Sequence, residues 1–231
     1  MKIDWAEITA LFGGTFDPPH IGHREAVQGL FSAPGVKRVI VLPTALPPHK
    51  KGNFADAKHR VAMTKLCFAP VIAGLTPLKG TIQIDQRELE RAERTGRPSY
   101  TFETLTELNS TNLAFVIGAD QLRDLPSWYH FPELLTLSNW LAIERRPSGS
   151  QLARQALRNW ETSGLVRPAE EENDLWQIRD SSRLLKLVST EAPAISSTEI
   201  RKSIALSGEA PIGSLVPEVL AYLKQNHLYG S

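Results

Sequence analysis

Cysteine is almost absent from this chain, and so are the apolar segments that mark secretion or membrane insertion. Cys67 is the only cysteine among 231 residues, so no disulfide can form within the chain. Its apolar neighbours Val61, Met63 and Leu66 follow helical spacing, which favours a small core residue over a nucleophile. No apolar run is long enough to cross a bilayer, and the N-terminal MKIDWAEITA lacks the apolar centre of a signal peptide. We therefore expect a cytoplasmic protein.

An excess of charge is missing as well. Lys and Arg number 26 against 25 Asp and Glu, which leaves a formal net charge of +1. The chain therefore has no overall attraction to nucleic acid or to an anionic membrane, and we expect neither as a partner. Any cationic site must be local. The length suits one large domain or two small ones and is ample for a buried core.

Short apolar segments alternate with helical ones along most of the chain. The predicted strands are 8–12, 36–42, 81–84, 113–117, 139–143 and 184–188. The predicted helices are 20–31, 53–68, 99–108, 151–160, 196–206 and 217–225. This alternation predicts βαβ units and an α/β fold with a doubly wound, mostly parallel sheet, which is Rossmann-like. Ligands of such sheets bind beyond the carboxyl ends of the strands.

Residues 147–180 break this pattern. They are polar and include an acidic run, Glu170–Glu172. We interpret them as the helix over 151–160 followed by a surface excursion. The expectation is a single domain over 1–231 with a polar excursion at about 147–180.

The first chemically informative cluster is GGTFDPPHIGH at 13–23, where a predicted strand runs into a predicted helix. Glycines let a ligand approach the backbone closely, and a helix N-terminus suits phosphate. His20 and His23 are expected on one helix face, where they can donate hydrogen bonds to developing charge. The string is neither a dinucleotide fingerprint nor a P-loop, and zinc is disfavoured because no third ligand stands nearby. A Gly/Pro turn with two incidental histidines is the plain alternative.

The second cluster is ISSTEIR at 195–201. Ser196 and Glu199 form a capping-box pattern that starts a helix. Ser197, Thr198 and Arg201 are suited to hold a polyphosphate. The alternative is that the string is only a helix cap.

In this order, the two clusters resemble the nucleotidyltransferase superfamily with the (H/T)-x-G-H signature. Four further segments resemble its bacterial nicotinate-nucleotide adenylyltransferases: PTALPPHK at 43–50, HRVAM at 59–63, GRPSYTFETL at 96–105 and VIGADQLRDLPSWYHFPELL at 116–135. The resemblance runs from about Phe12 to the C-terminus and is lost over roughly 147–180. It implies an enzyme of NAD biosynthesis that joins ATP to nicotinate mononucleotide. The products would be nicotinate adenine dinucleotide (deamido-NAD) and pyrophosphate.

The resemblance also implies roles for individual residues. The ATP site would contain Gly13, Gly14, Thr15, Phe16, His23, Asp120, Ile195, Ser197, Thr198 and Arg201. The mononucleotide site would contain His49, Lys50, Tyr100, Thr101, Trp128, Tyr129 and Arg146. The catalytic residues would be His20, His23, Lys50 and Arg201. Mg²⁺ would accompany ATP, held mainly by phosphates and water and not by a protein cage.

Within these sites the resemblance assigns specific contacts. Asp120 would meet the adenosine ribose, and Trp128 would stack on the pyridine ring. Backbone amides near Thr101 and Tyr129 would meet the ring carboxylate. Taken singly, Trp128 also fits an ordinary half-buried aromatic, and Asp120 also fits a helix N-cap.

The sequence departs from the family pattern in two places. Glu103 stands where the family usually has Asp. The adjacent pair Arg145 and Arg146 offers two candidates for a phosphate-binding arginine, of which we favour Arg146.

The expected chemistry needs no protein nucleophile. A phosphate monoester has a second pKa of about 6 and is mostly dianionic at neutral pH, and the chain offers no convincing triad. Catalysis should come from positioning and charge neutralisation. Nicotinamide mononucleotide or another phosphate monoester as substrate, and a non-catalytic nucleotide-binding protein, remain alternatives. Acid versus amide preference and the oligomeric state are left open by the sequence.

Overall fold

Seven helices and eight strands form the framework of the computed structural model, which describes residues 7–33, 35–45, 54–73, 80–145, 149–169 and 172–231. The strands are β1 (Ile8–Gly14), β2 (Val36–Pro43), β3 (Thr81–Ile84), β4 (Leu113–Gly118), β5 (Asn139–Arg145), β6 (Val166–Pro168), β7 (Leu175–Ile178) and β8 (Leu184–Thr190). The helices are α1 (Ile21–Leu30), α2 (Ala57–Ile72), α3 (Arg87–Thr95), α4 (Thr101–Leu108), α5 (Gly149–Thr162), α6 (Ser197–Ser207) and α7 (Pro217–Gln225). Short 3₁₀ helices include Ala119–Arg123 and the C-terminal Leu228–Gly230.

All eight strands belong to one sheet, in the order β3-β2-β1-β4-β5-β8-β7-β6. The first six are parallel, and β7 and β6 join antiparallel beyond β8. The chain builds outward from β1 to β3 and then returns to the centre with β4. The carboxyl ends of β1 and β4 therefore lie side by side at a topological switch point, where open α/β sheets bind ligands. The prediction of a doubly wound, mostly parallel sheet is confirmed.

Both faces of the sheet are buried. One alternating set of strand residues, including Ala10, Val39 and Val116, packs with α1, α2, α6 and α7. The other set, including Leu11 and Phe115, packs with α4 and α5. Burial on both faces explains why the central strands read as continuous apolar runs.

Cys67 belongs to the first of these two cores, as its helical spacing predicted. Burial raises the pKa of its thiol to about 12, so it stays a protonated, unreactive core residue. None of the helices in the described ranges has the length and apolar character needed to span a bilayer.

The segment after β5 differs from the prediction. The expected helix is present as α5, but the expected surface excursion after it contains β6 and β7, which extend the sheet. Trp160, Val166 and Trp176 from this segment are buried in the second core. The sequence missed the two strands because they have three and four residues, too few for an alternation to stand out from polar surroundings.

Helix α3 was also missed, because its sequence RELERAERT has no apolar stripe. Its one buried residue is a carboxylate, Glu88, with 3% exposure. Thr104 of α4 donates a hydrogen bond from Oγ1 to Glu88 Oε1 at 2.8 Å, and Arg91 Nη2 donates to the same Thr104 oxygen at 2.5 Å. This polar link joins α3 to the first turn of α4. Burial raises the pKa of Glu88, while the Thr104 hydrogen bond and the Arg91 charge partly oppose that rise.

We predict that Trp160→Ala lowers the free energy of unfolding by about 3–5 kcal/mol, the usual cost of deleting a buried aromatic side chain. The reason is that Trp160 is only 5% exposed. If this segment were instead a solvent-facing excursion, the substitution would have almost no effect. Urea unfolding of the variant measures the change. Arg158→Ala, at an exposed position of the same helix, is the control and should stay within about 0.5 kcal/mol of wild type.

We also predict that Glu88→Gln gains stability relative to wild type as pH rises. A raised carboxyl pKa means that the folded state binds the proton more tightly than the unfolded state does. The free energy of unfolding of wild type therefore decreases as the pH rises above about 4, the ordinary pKa range of glutamate. Glutamine does not titrate and can still accept from Thr104.

Urea unfolding of both proteins between about pH 4 and pH 8 measures the trend expected for a raised glutamate pKa. Glu90→Gln, at an exposed position of α3, controls for the loss of one carboxylate from that helix. A difference between Glu88→Gln and wild type that stays constant over this range would contradict the prediction.

Candidate active site

Two adjoining cavities open at the carboxyl ends of β1 and β4. The first has a volume of about 350 Å³ and lies between the ends of these strands and the N-termini of α1 and α6. The second has about 420 Å³ and lies between the same strand ends, the start of α4 and the segment that contains Trp128. The residues that line both cavities are Gly13, Gly14, Thr15, Val116 and Gln121. The end of β1 is thus a common wall between two sites of ligand size.

Close packing around the end of β1 explains the glycine at position 14. A Cβ on Gly14 would lie 2.8 Å from the Phe16 ring, and one on Gly13 would lie 3.4 Å from the Phe115 ring. Phe16 is 1% exposed and has a left-handed backbone with φ of 50°, which costs about 1 kcal/mol or more for a residue other than glycine. Its ring packs edge-on against His23 at 5.0 Å and Phe68 at 6.3 Å. This packing fixes the turn after β1.

A buried arginine beneath the turn ties the loop after β1 to both ends of the loop between β2 and α2. Arg60 of α2 is 2% exposed. Its Nη1 donates to the carbonyl oxygens of Thr15 and Thr44 at 2.8 Å each, and its Nε donates to Ala55 O at 3.2 Å. Burial lowers the pKa of the guanidinium, and the charge of Asp17 opposes that shift. The sequence analysis noted HRVAM at 59–63 only for its family resemblance and assigned no role to Arg60. The one signal for such a role was an arginine placed beside the core positions of α2.

His20 and His23 cap the first helix reciprocally. The sequence analysis placed His20 inside the helix, as its first residue. In the structure His20 is instead the N-cap of α1, with an extended backbone. His23 N donates to His20 Nδ1 at 3.3 Å, and His20 N donates to His23 Nδ1 at 3.2 Å. The rings stack with centroids 3.6 Å apart. Because each Nδ1 accepts, the hydrogen of each neutral ring is on Nε2.

The glycine between the two histidines is required by a close approach. A Cβ on Gly22 would lie 2.8 Å from the carbonyl oxygen of Pro193 and 3.1 Å from His20 Nδ1. The loop before α6 therefore packs directly on the first turn of α1. This contact brings the two sequence clusters together.

The hydroxyl-rich cluster starts α6 at Ser197. Ser196 is the N-cap, but its side chain forms no capping hydrogen bond, so the expected capping box is wrong; Ser196 lines the first cavity instead. Ser197 Oγ donates to Pro18 O at 2.9 Å, which links this cluster to the first one. Arg201 Nη1 donates to Asp17 O at 2.6 Å, and its guanidinium lies 5.5 Å from the centre of the Phe54 ring.

Aromatic rings and one helix N-terminus form the second cavity. Trp128 is half-buried and meets Phe115 edge-on, with ring centroids 6.2 Å apart. The rings of Tyr100 and Tyr129 lie 4.6 Å apart. Tyr100 is the N-cap of α4 and provides no side-chain cap, so the first N–H groups of that helix are open to an acceptor at the cavity.

The structure brings most of the sequence-predicted residues to these two cavities. The first cavity is lined by His20 and by all ten residues predicted for the ATP site: Gly13, Gly14, Thr15, Phe16, His23, Asp120, Ile195, Ser197, Thr198 and Arg201. The second is lined by Tyr100, Thr101, Trp128 and Tyr129 from the predicted mononucleotide site. The other predicted members, His49, Lys50 and Arg146, lie outside the described residues.

Several polar residues of the cavities were missed by the sequence analysis, among them Gln121 and Glu88. Gln121 lines both cavities, and Glu88 lines the second. Gln121 stands one position after Asp120 in the quoted string GADQ, which was the only signal for it. Asp120 itself lies inside the 3₁₀ helix Ala119–Arg123, whose N-cap is Gly118, so the N-cap alternative for Asp120 is wrong.

Comparison with known proteins agrees with this geometry. Residues 11–203 match the cytidylyltransferase-like family. The chain is 31% identical to the probable nicotinate-nucleotide adenylyltransferase of Klebsiella pneumoniae, covering 98% of this chain and 99% of that protein. It is 34% identical to the probable nicotinate-nucleotide adenylyltransferase of Cronobacter sakazakii, covering 96% and 95% respectively.

Solved structures show the same fold at lower identity. The nicotinic acid mononucleotide adenylyltransferase of Plasmodium falciparum complexed with APC has a TM-score of 0.66 at 19% identity, over 96% of this chain and 97% of that one. The same protein complexed with NaAD has a TM-score of 0.63 at 18% identity, with the same coverage. The chain therefore belongs to the cytidylyltransferase-like family, and over nearly its whole length it resembles the nicotinate-nucleotide adenylyltransferases.

Proposed function

We propose that this chain is a nicotinate-nucleotide adenylyltransferase. It joins the adenylyl group of ATP to the phosphate of nicotinate mononucleotide and releases pyrophosphate. The observation that supports this most strongly is the pair of cavities that share the backbone wall from Gly13 to Thr15. A reaction between two nucleotides requires two adjoining sites whose phosphates meet at one point, and this wall is such a point.

ATP occupies the first cavity in this proposal. The N-termini of α1 and α6, the hydroxyls of Ser197 and Thr198 and the guanidinium of Arg201 all border it. Helix N-termini and guanidinium groups are the usual binding partners of phosphate oxygens. Asp120, exposed at the end of β4, is then available to the ribose hydroxyls.

Nicotinate mononucleotide occupies the second cavity. The half-buried Trp128 offers a flat face for the pyridine ring. The uncapped start of α4 at Thr101 offers N–H groups for the ring carboxylate. These donors favour the acid over the amide, because a charged acceptor makes the stronger hydrogen bond. His49, Lys50 and Arg146 stay predictions for the phosphate of this substrate.

The transfer itself is an in-line displacement at the α-phosphorus of ATP. A phosphate oxygen of the mononucleotide forms the new P–O bond, and the bond to the bridging oxygen of the β-phosphate breaks, so that its electron pair leaves with pyrophosphate. The attacking phosphate is already mostly dianionic at neutral pH, with a second pKa of about 6, so no general base is needed. The task of the protein is to bring two anions together.

The two histidines contribute fixed hydrogen-bond donors. Their reciprocal capping keeps the hydrogen of each neutral ring on Nε2, so His20 and His23 can donate without a change of charge. His20 is 1% exposed, and a donor held in a site with little water is worth more than the same donor in solution. The stacked pair therefore stabilises charge that develops on the phosphates.

Nucleotidyltransferases of this kind generally use a divalent metal ion with ATP, and we propose Mg²⁺ here. Within the described residues, no group of three or more His, Cys, Asp or Glu side chains is arranged to hold a metal ion. The donor set fits an ion that is bound mainly by triphosphate oxygens and water, and Asp120 is an exposed carboxylate of the first cavity. When bound, such an ion neutralises phosphate charge.

Release of pyrophosphate from ATP with a panel of mononucleotides tests the function. We expect turnover with nicotinate mononucleotide above that with nicotinamide mononucleotide or pantetheine phosphate. A preference for the amide would replace the substrate by nicotinamide mononucleotide. Binding of ATP without turnover on any member of the panel would indicate a non-catalytic nucleotide-binding protein.

We predict that His20→Ala lowers kcat by on the order of a hundredfold or more while the fold survives, because one donor to developing charge is lost. Pyrophosphate release measures the rate, and urea unfolding checks the fold. His59→Ala is the matched control, since His59 bonds Tyr222 and lines neither cavity. Near-normal turnover in a folded His20→Ala protein would remove His20 from the mechanism.

We predict that Trp128→Ala lowers kcat/KM with both the acid and the amide substrate by on the order of tenfold, since stacking on an aromatic face is worth about 1–3 kcal/mol. Both pyridine rings are flat, so the ratio of the two efficiencies should stay nearly unchanged. Trp128→Phe keeps an aromatic face and should recover most of the loss. A collapse of the ratio in Trp128→Ala would instead make Trp128 the residue that discriminates between acid and amide.

A further inference from the structure

A buried carboxylate beneath the first cavity is bound by residues from distant parts of the chain. Asp17 is 1% exposed. Its Oδ1 accepts a hydrogen bond from Ala55 N at 3.0 Å and a second from the hydroxyl of Tyr229 at 2.7 Å. Its Oδ2 is 3.5 Å from Arg201 Nη1 and has no hydrogen-bond partner among the described residues. A buried carboxylate needs such partners because unpaired burial of a charge is costly.

Arg201 is oriented by the same aspartate. Its Nη1 donates to the main-chain oxygen of Asp17 at 2.6 Å and faces the Asp17 carboxylate. The Phe54 ring lies 5.5 Å from the guanidinium carbon, and the side chain of Arg201 remains 22% exposed at the cavity. The guanidinium is thus shared between a buried carboxylate and the space that the proposed function gives to ATP phosphates.

The C-terminus is folded so that Tyr229 reaches this cluster. His227 and Tyr229 both have left-handed backbones, with φ of 50° and 61°, each at a cost of about 1 kcal/mol or more. Ser231 Oγ bonds the carbonyl oxygens of Leu223 and Leu228 at 3.1 and 3.0 Å, which fastens the end of the chain to α7. Strained turns persist where the surrounding contacts determine them strongly.

The phenol of Tyr229 is held in its donating form. Burial raises its pKa, and the nearby carboxylate of Asp17 raises it further. The hydroxyl therefore stays protonated at neutral pH and donates to Asp17. Together with Ala55 N it satisfies Oδ1, which leaves Oδ2 as the carboxylate oxygen that faces Arg201 Nη1.

We propose that Tyr229 is a positioning residue for ATP, acting through Asp17 on Arg201, so that the C-terminal turn of the chain completes the ATP site. The inference rests on the proposed function for the identity of the nucleotide. Removing the Tyr229 hydroxyl leaves Asp17 Oδ1 with one donor and strengthens the pull of the carboxylate on Arg201. Less of the guanidinium then remains available to phosphate oxygens.

The test compares two Tyr→Phe variants that differ in what the lost hydroxyl contacted. Tyr229→Phe removes the donor to Asp17. Tyr222→Phe is the matched control, because its hydroxyl bonds His59 Nδ1 at 3.0 Å and Tyr222 lines neither cavity. Titration calorimetry with a non-hydrolysable ATP analogue gives Kd, steady-state rates give KM for each substrate, and urea unfolding checks the fold.

We expect Tyr229→Phe to raise Kd for the analogue and KM for ATP by about three- to tenfold, as for the loss of one net hydrogen bond. KM for nicotinate mononucleotide should change less than about twofold, because Asp17 and Arg201, through which Tyr229 acts, line the first cavity and not the second. Tyr222→Phe should leave both constants within about twofold of wild type. These twofold limits correspond to about 0.4 kcal/mol.

A double-mutant cycle with Asp17→Asn tests the route through the aspartate. Asparagine keeps the shape but carries no charge to attract Arg201, so Tyr229→Phe should have little further effect on Kd in that background. Fully multiplicative effects would mean that Tyr229 does not act through Asp17, and would overturn the inference. So would an unchanged Kd in Tyr229→Phe, or equal weakening of both substrates in both tyrosine variants. If wild type releases no pyrophosphate, the proposed function fails, while the analogue titrations still decide the role of Tyr229.

Discussion

The site depends on one steric constraint, which is that the last residue of β1, Gly14, has no room for a side chain. β1 lies in the middle of the sheet, next to β2 on one side and β4 on the other, and its last two residues are Gly13 and Gly14. Phe16 packs so closely against Gly14 that a Cβ there would lie 2.8 Å from its ring, whereas a Cβ on Gly13 would only touch the Phe115 ring. A bulkier residue there would displace the turn and fill the wall between the cavities. Because both cavities share that wall, the same constraint shapes both of the proposed binding sites.

The polar groups beneath the wall hold the loops that surround it. Arg60 bonds the main chain of two loops, one after β1 and one between β2 and α2. Asp17 binds the loop before α2, the C-terminal turn and Arg201. In a low-dielectric interior such groups are costly unless their partners are in place. They therefore favour one arrangement of the loops over others. This rigidity suits the proposed binding of phosphate, since donors that are already oriented need no reorganisation when charge develops.

Much of the fold and most of the site could be predicted from sequence, for reasons that differ between elements. The central strands were visible because burial on both faces produces continuous apolar runs. The two strings proposed to bind phosphate were visible because glycine, histidine and hydroxyl residues concentrate where strands meet helices. The helix α3 was not visible, because a helix whose one buried residue is Glu88 has no apolar periodicity. Contacts between distant segments, such as Arg60 with Thr15 or Tyr229 with Asp17, leave no local pattern at all.

The histidine pair illustrates a limit of motif reasoning. A capping box is recognised in sequence as Ser or Thr followed by Glu or Gln, and by that rule the cap was expected at Ser196 and Glu199. The structure instead forms a reciprocal cap from His20 and His23, while Ser196 makes no side-chain cap. Imidazole can fill both roles because an unprotonated Nδ1 accepts as a carboxylate does. The arrangement combines helix initiation with control of the tautomer, so the local structure that begins α1 also determines which nitrogen can donate to a phosphate.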